Sequence, residues 1–320
     1  MKVDQSIGVN PVWSDVNAVR RELSEHAIDV AAIYSISTWR PVFDVLFDCG
    51  IIFIAVSCAF RGSFPIYLLA LCVVGNRQRA LGNLLHEAGH KNLFRTGRLN
   101  DWFAAVLLAP PLTSDLGLYR RTHARHHALL GQQGKDPDLI APAADAKSTW
   151  WHVYRRQFLS GHAWLGSVFG HFGDRRVNWG QRAWIGIWWV VLFALLVVTE
   201  GISFASFFVA VWFAAKATVF HAITIFREMC DHFALRPGGV YSFTRDTVIP
   251  RCWRGFIHPH NNGYHLSHHL VPKVPYYRLP EAQKLLSRLP SYAQKAVVCE
   301  SYFSGISAVV RQRSHAMETN

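Results

Sequence analysis

Four apolar runs constrain this 320-residue chain more than anything else in it: residues about 42–60, 64–85, 183–199 and 202–226. An α-helix needs about 20 residues to cross a bilayer core, so each run is long enough, or nearly so, to span it. Only Arg61-Gly62-Ser63 separate the first two, and only Glu200 and Gly201 the last two. Each pair is therefore read as a helical hairpin. The second run reaches its length by carrying Asn76-Arg77-Gln78-Arg79, whose polar side chains are expected at the interface or against protein. Trp102 to Leu112 is apolar but too short to span and ends in Pro110-Pro111, which predicts an interfacial or re-entrant helix. A charged content of 17% against about 25% in soluble proteins points the same way.

Lysines and arginines give the orientation. Four precede the first run, thirteen lie between His86 and Arg182 and twelve from Arg227 onward, while the two tight turns carry only Arg61. The positive-inside rule then puts the N-terminus, middle and C-terminus in the cytoplasm. The net charge of +12 is accounted for in this way, and no nucleic-acid partner is expected. The expected divisions are a cytoplasmic N-terminal segment, 1–40, a membrane domain, 41–300, and a tail, 301–320. The polar start lacks the pattern of a signal peptide. Six scattered cysteines without a Cys-x-x-Cys pair form neither a disulfide framework nor a zinc knuckle.

The chemistry sits in histidines. His86-Glu87-Ala88-Gly89-His90 puts two imidazoles four residues apart on one helical face, which taken alone is a zinc-hydrolase signature with Glu87 as base. Two further boxes repeat a denser pattern: His123, His126 and His127, and His265, His268 and His269. Eight boxed histidines exceed the three protein ligands of one catalytic zinc and suit two ions with open positions. Imidazole alone does not choose among zinc, copper, iron and nickel. The solitary His26, His152, His162, His171 and His315 are read as ordinary hydrogen-bonded residues.

The boxes and their placement around two hairpins resemble the membrane fatty acid desaturase and hydroxylase superfamily over residues 40 to 290. The third box, Asn261-Asn262-Gly263-Tyr264-His265-Leu266-Ser267-His268-His269-Leu270, and the following Val271 to Pro280 are its most specific part. Asp136-Pro137-Asp138 matches a feature common in the family, and it is equally readable as a turn. Within the superfamily the chain looks similar to bacterial desaturases of the dihydrorhizobitoxine desaturase type. The resemblance implies an all-α membrane protein of four spans under a cytoplasmic helical cap. It also implies two iron ions, dioxygen as co-substrate, and a ninth ligand at the end of the fourth span, where His232 stands. Glu228, one turn earlier, is a candidate to hold a metal-bound water or to be ion-paired. His221 is read as a buried hydrogen-bonding residue, Lys216 as snorkelling or paired with an acid, and His258 and His260 as minor candidates.

The implied activity is desaturation of a fatty acyl or related aliphatic chain, in the bacterial inner membrane. A hydroxylase or ketolase of the same superfamily is the alternative. An intramembrane zinc protease leaves six boxed histidines unused, and a metal transporter would place its ligands near the bilayer midplane. Arg236-Pro237-Gly238-Gly239 resembles a cytochrome b5 haem motif but has Arg at the axial position. An external donor such as ferredoxin with its reductase is therefore expected. Arg120, Arg121, Arg155, Arg156, Arg175 and Arg176 either dock such a carrier or set topology against anionic lipid.

Overall fold

A computed structural model describes residues 10–140 and 149–311; His315 and the end of the expected tail lie outside the described residues. Helix α1 (Pro11–Glu25) begins where the Asn10 side chain accepts from Val12 N, with Pro11 in its first turn. Its buried face is Val12, Val16, Val19 and Leu23. Helices α2 (Arg40–Phe60) and α3 (Phe64–His90) form the first hairpin. The second is α8 (Trp179–Glu200) and a 31-residue rod from Ile202 to His232. That rod is α9 (Ile202–Ala215), a π-helical turn at Lys216–Phe220 and α10 (His221–His232). Gly201, at φ +88, closes α8 and opens α9, a backbone state that favours glycine.

Among the described residues three helices are long and apolar enough to cross a membrane: α2, α8 and the Ile202–His232 rod. Their outward faces are apolar, with Leu46, Ile54, Val190 and Val198 all exposed, the surface a bilayer covers. Helix α3 changes character midway. Its second half is buried, and Gln78 donates to the Trp212 carbonyl at 2.9 Å, Asn83 to that of Pro259 at 2.7 Å and Asn76 to that of Phe256 at 2.6 Å. The polar run thus faces protein. Gly75 lets α3 approach the π-helical turn: a Cβ there would lie 2.7 Å from the Val219 Cβ and 2.8 Å from the Phe220 nitrogen.

Between the hairpins, α4 (Gly97–Phe103) continues into a π-helical turn at Ala104–Leu108, the short helix expected around Trp102. Phe103, Ala104, Leu108 and Leu112 enter the core shared by α2, α3 and α9. Indole donors bind its backbone: Trp184 the Ala105 carbonyl at 3.0 Å, Trp189 that of Pro110 and Trp212 that of Pro111, each at 3.2 Å. Three indoles therefore hold this segment in place.

The cap comprises α5 (Leu116–Ala128), α6 (Trp150–Phe158), α7 (Gly161–Phe169), α11 (Val240–Phe243), α12 (Arg251–Ile257), α13 (His265–Leu270), α14 (Leu279–Leu286) and α15 (Pro290–Lys295). The fold is mostly helical but not wholly so. Strands β1 (Asp246–Thr247) and β2 (Val298–Cys299) pair in parallel. Buried Asp246 anchors that junction, accepting from Ser267 N at 3.0 Å and Tyr292 Oη at 2.6 Å. Four polar residues in a row around Asp246 carry no strand signal, so the sequence could not show it.

Candidate metal centre

Each histidine is delivered by a helix end. His86 and His90 lie one turn apart at the end of α3, which stops at Lys91 in the left-handed region with φ 61. The carbonyl of Ala88 accepts from Asn100 Nδ2 and Arg120 Nη2, both at 3.0 Å. Helix α5 is N-capped by Asp115, whose carboxylate accepts from Leu118 N at 2.6 Å, and it carries His123, His126 and His127 in its second half. His232 ends α10, and His265, His268 and His269 fill α13.

All nine gather into two adjacent groups. One is His86, His90, His123, His127 and His268; the other is His126, His232, His265 and His269, with candidate ligand atoms within 4.8 Å of one another in each. The boxes are divided between them. In both His-x-x-His-His boxes the i and i+4 residues go to one group and the i+3 residue to the other. The His127 and His269 rings stack across the boundary at 4.1 Å. No carboxylate joins either group among the described residues.

The nitrogens are spaced for an ion. Nε2 atoms of His90, His123, His127 and His268 form a closed ring with edges of 2.8, 3.1, 3.2 and 3.1 Å. A square of edge about 3.0 Å has its centre about 2.1 Å from each corner, a metal–imidazole bond length. The His86 Nε2 is buried with no hydrogen-bond partner, a state that costs about 1–3 kcal/mol unless something else binds it. In the second group the His265 Nε2 lies 2.9 Å from that of His232 and 3.0 Å from that of His269. These residues fit a metal in both groups.

Outer partners set the tautomers. Nδ1 of His126 lies 2.8 Å from Asp136 Oδ1, and Nδ1 of His232 lies 2.8 Å from the Phe243 carbonyl, leaving each Nε2 free. Asp136 is itself held by the amides of Gly131 at 2.8 Å and Asp138 at 3.0 Å. Of the two readings of Asp136-Pro137-Asp138, both apply: it is a turn, and the turn presents a carboxylate to a histidine. Burial lowers the pKa of His123, His127, His265 and His269, and takes His268 down to about 3, reinforced by neighbouring imidazoles. Neutral rings keep their lone pairs for a ligand bond. At His126 burial acts the same way, but the hydrogen bond to Asp136 and the charges of Asp138 and Asp136 outweigh it and raise the pKa.

Glu87 is buried and meets His86 on its Nδ1 side, with Oε1 at 3.2 Å, while Oε2 accepts from Tyr276 N at 3.0 Å. It therefore lies across the ring from the Nε2 where a hydrolytic base would act. His221 is the buried hydrogen-bonding residue expected, between Ser167 Oγ at 2.7 Å and the Phe158 carbonyl at 2.9 Å. Lys216 neither snorkels nor meets an acid. Its Nζ donates to the Leu112 carbonyl and Thr113 Oγ1, both at 2.8 Å, because the π-helical turn aims it at the end of the Trp102–Leu112 segment. His258 is taken by Tyr302 at 2.6 Å and Asp231 at 3.3 Å, and His260 by Asp48 at 2.8 Å. Glu228 is half-exposed, its nearest cation being Arg227 at 3.8 Å. Of the arginines considered for docking, Arg120 is bound to Asp101 and Arg176 to Asp174, whereas Arg121, Arg155, Arg156 and Arg175 are exposed.

The sequence reading missed α1 as part of the site, although Asn10-Pro11 and the spacing of Val12, Val16, Val19 and Leu23 signal it. Asp15 of α1 accepts from the amides of Val240 at 2.7 Å and Tyr241 at 3.3 Å, at the end of the Arg236-Pro237-Gly238-Gly239 run. That run is a helix-docking turn.

A family model described as fatty acid desaturase matches residues 62–299. The chain is 25% identical over 261 residues to dihydrorhizobitoxine desaturase of Bradyrhizobium elkanii, covering 73% of this chain and 71% of that one. It is 24% identical over 270 residues to an sn-1 acyl-lipid omega-3 desaturase (ferredoxin) of Synechocystis, covering 75% and 72%. It is also 24% identical over 212 residues to beta-carotene 4-ketolase 3 of Haematococcus lacustris, covering 63% and 58%.

Proposed function

The chain belongs to the fatty acid desaturase family, and from that membership we propose that it is a membrane-bound, dioxygen-dependent non-haem di-iron desaturase acting on a fatty acyl or related aliphatic chain. The observation that carries this reading is the convergence of nine histidines into two groups with closely spaced nitrogens. His86, His90, His123, His127 and His268 would hold one iron, and His126, His232, His265 and His269 the other. Two irons there would supply the reduction of dioxygen and an oxidant able to take hydrogen from an unactivated methylene. Forming a double bond breaks two C–H bonds. The two electrons and two protons released, with two more of each from outside, reduce one dioxygen to two waters.

The chain's own part is positional. Asp136, the Phe243 carbonyl and Glu87 hold His126, His232 and His86 by Nδ1, and those three rings are buried. The proposed placement is four spans, with α3 as the second, in a bacterial cell membrane and the histidines at the cytoplasmic face, as the lysine and arginine distribution favours. The proposed divisions are 1–40, 41–300 and 301–320. Electrons would come from an external donor such as a ferredoxin, which one relative's name gives for that protein, with its reductase. The similarity to a carotene ketolase supports a second reading, oxygen insertion at the same centre.

Metal analysis of purified protein should give about two irons per chain, falling on His126→Ala or His268→Ala. One zinc, or metal content unchanged by either substitution, sinks the reading. Lipid and metabolite profiling of cells expressing the protein or its His268→Ala variant separates the chemistries: a new double bond supports desaturation, a new hydroxyl or keto group the second reading.

A further inference from the structure

A cavity of about 340 Å³ opens onto the histidine groups from the side of α1. Its floor is made by His90, His123, His127 and His269, and one wall is apolar, from Val12, Trp13 and Val16 of α1. Four cations line it, Arg20, Lys91, Arg120 and Lys273, and no carboxylate does. Arg120 is matched by Asp101 and by the carbonyls of Ala88 and Gly89. The other three have no carboxylate within 4.0 Å among the described residues. Lys273 makes one hydrogen bond, to the His90 carbonyl at 2.8 Å, which leaves two of its three N–H donors.

We propose that this cavity receives the anionic end of an amphipathic substrate, with Lys91 and Lys273 selecting its charge and the α1 wall taking its first carbons. The inference rests on the oxidative reading above and narrows its substrate class. Unmatched ammonium groups beside an apolar wall attract an anion and remain unpaired opposite a neutral head. Lys91 directly follows His90, and Lys273 follows α13 by three residues, so a head held there lies next to the segments that carry the histidines. At about 30 Å³ per water-sized group, the cavity holds on the order of ten non-hydrogen atoms, a head and a short run of methylenes. The anionic head belongs either to a free carboxylic acid or to an anionic phospholipid.

The test uses the iron-loaded full chain in nanodiscs of neutral phosphatidylcholine, titrated with octanoate or octanamide, with binding read from indole fluorescence against a Trp13→Phe control. Octanoate should saturate and bind about tenfold more tightly than octanamide, in the range of one charge-assisted hydrogen bond. Lys91→Gln, which leaves the His90 carbonyl contact intact, should weaken that preference while iron content and thermal midpoint stay unchanged, and Lys91→Gln/Lys273→Gln should abolish it. Equal binding of the two probes, or variants that keep the preference, overturns the proposal. Adding phosphatidylglycerol assigns the source: competition with octanoate points to a lipid head, and none to a free acid. Octanoate that binds with the expected charge dependence but returns unmodified after reductant and dioxygen refutes the oxidative reading and leaves the charge selection standing.

Discussion

Asp136 holds His126 from behind: its Oδ1 lies 2.8 Å from Nδ1, the two side chains are buried, and the carboxylate is fixed in turn by two backbone amides. Asp136→Asn keeps the shape but removes the charge and can donate where the carboxylate only accepts. Metal affinity of the second group should fall about 10–100-fold, the usual cost of an outer-partner substitution. Competition with a chelator measures it. Full retention of both ions would show that Asp136 serves only the turn.

Glu87 gives a contrast with hydrolytic chemistry. A base would be indispensable, whereas a residue on the Nδ1 side of His86 acts through metal retention. Glu87→Gln should lower iron content while activity per bound iron stays within about tenfold of the parent. Complete loss of turnover at full occupancy would assign Glu87 a direct part in the reaction.

Lys216 satisfies the Leu112 carbonyl and Thr113 Oγ1 from a buried position. Lys216→Met removes the ammonium donor from both, leaving the Leu112 carbonyl only the Thr113 and Ser114 hydroxyls, at about 1 kcal/mol. The thermal midpoint of the purified protein should drop. The loss from Lys216→Met and Thr113→Val together should be smaller than the sum of the two, because they share a contact.

Gly75 meets Val219 and Phe220 too closely for a side chain. Gly75→Ala should cost about 1–3 kcal/mol by overpacking α3 against the π-helical turn, seen as a lowered midpoint. An unchanged midpoint would mean that the two helices separate without penalty.

Acid should release the metals and weaken the metal-free protein. His123, His127, His265, His268 and His269 have folded pKa values below 6.5, with His268 at about 3. Below pH 6.5 the unfolded chain therefore binds more protons than the folded one, and stability declines as pH falls toward the folded values. His126, raised by Asp136, works the other way: its contribution is present below pH 6.5 and is lost as pH rises through its folded pKa. Denaturant midpoints of metal-free protein at pH 7.5 and 5.0 should differ in favour of pH 7.5. Equal midpoints would place the five rings in water.

Much of the protein was legible because its signals are local. Apolar length gave the helical hairpins, and i, i+3 and i+4 spacing gave the histidine faces. Two helices run past their apolar runs at the C-terminal end, α3 from 85 to His90 and the last rod from 226 to His232, because those polar ends are buried by the cap and hydropathy cannot see that. Helix α1, the β1–β2 pair and the aim of Lys216 depend on partners far away in the chain, 269 residues in the case of Glu22 and Ser291.

The sequence by itself determined that histidines would meet, since each box presents its rings on one side of a helix whatever surrounds it. Tertiary structure alone decided how they divide. Residues i and i+4 point nearly the same way and i+3 is turned aside, so His126 and His268 leave their own boxes and join the opposite groups. Which rings share a centre depends on how α3, α5, α10 and α13 cross, and that is set by packing between segments far apart in the chain.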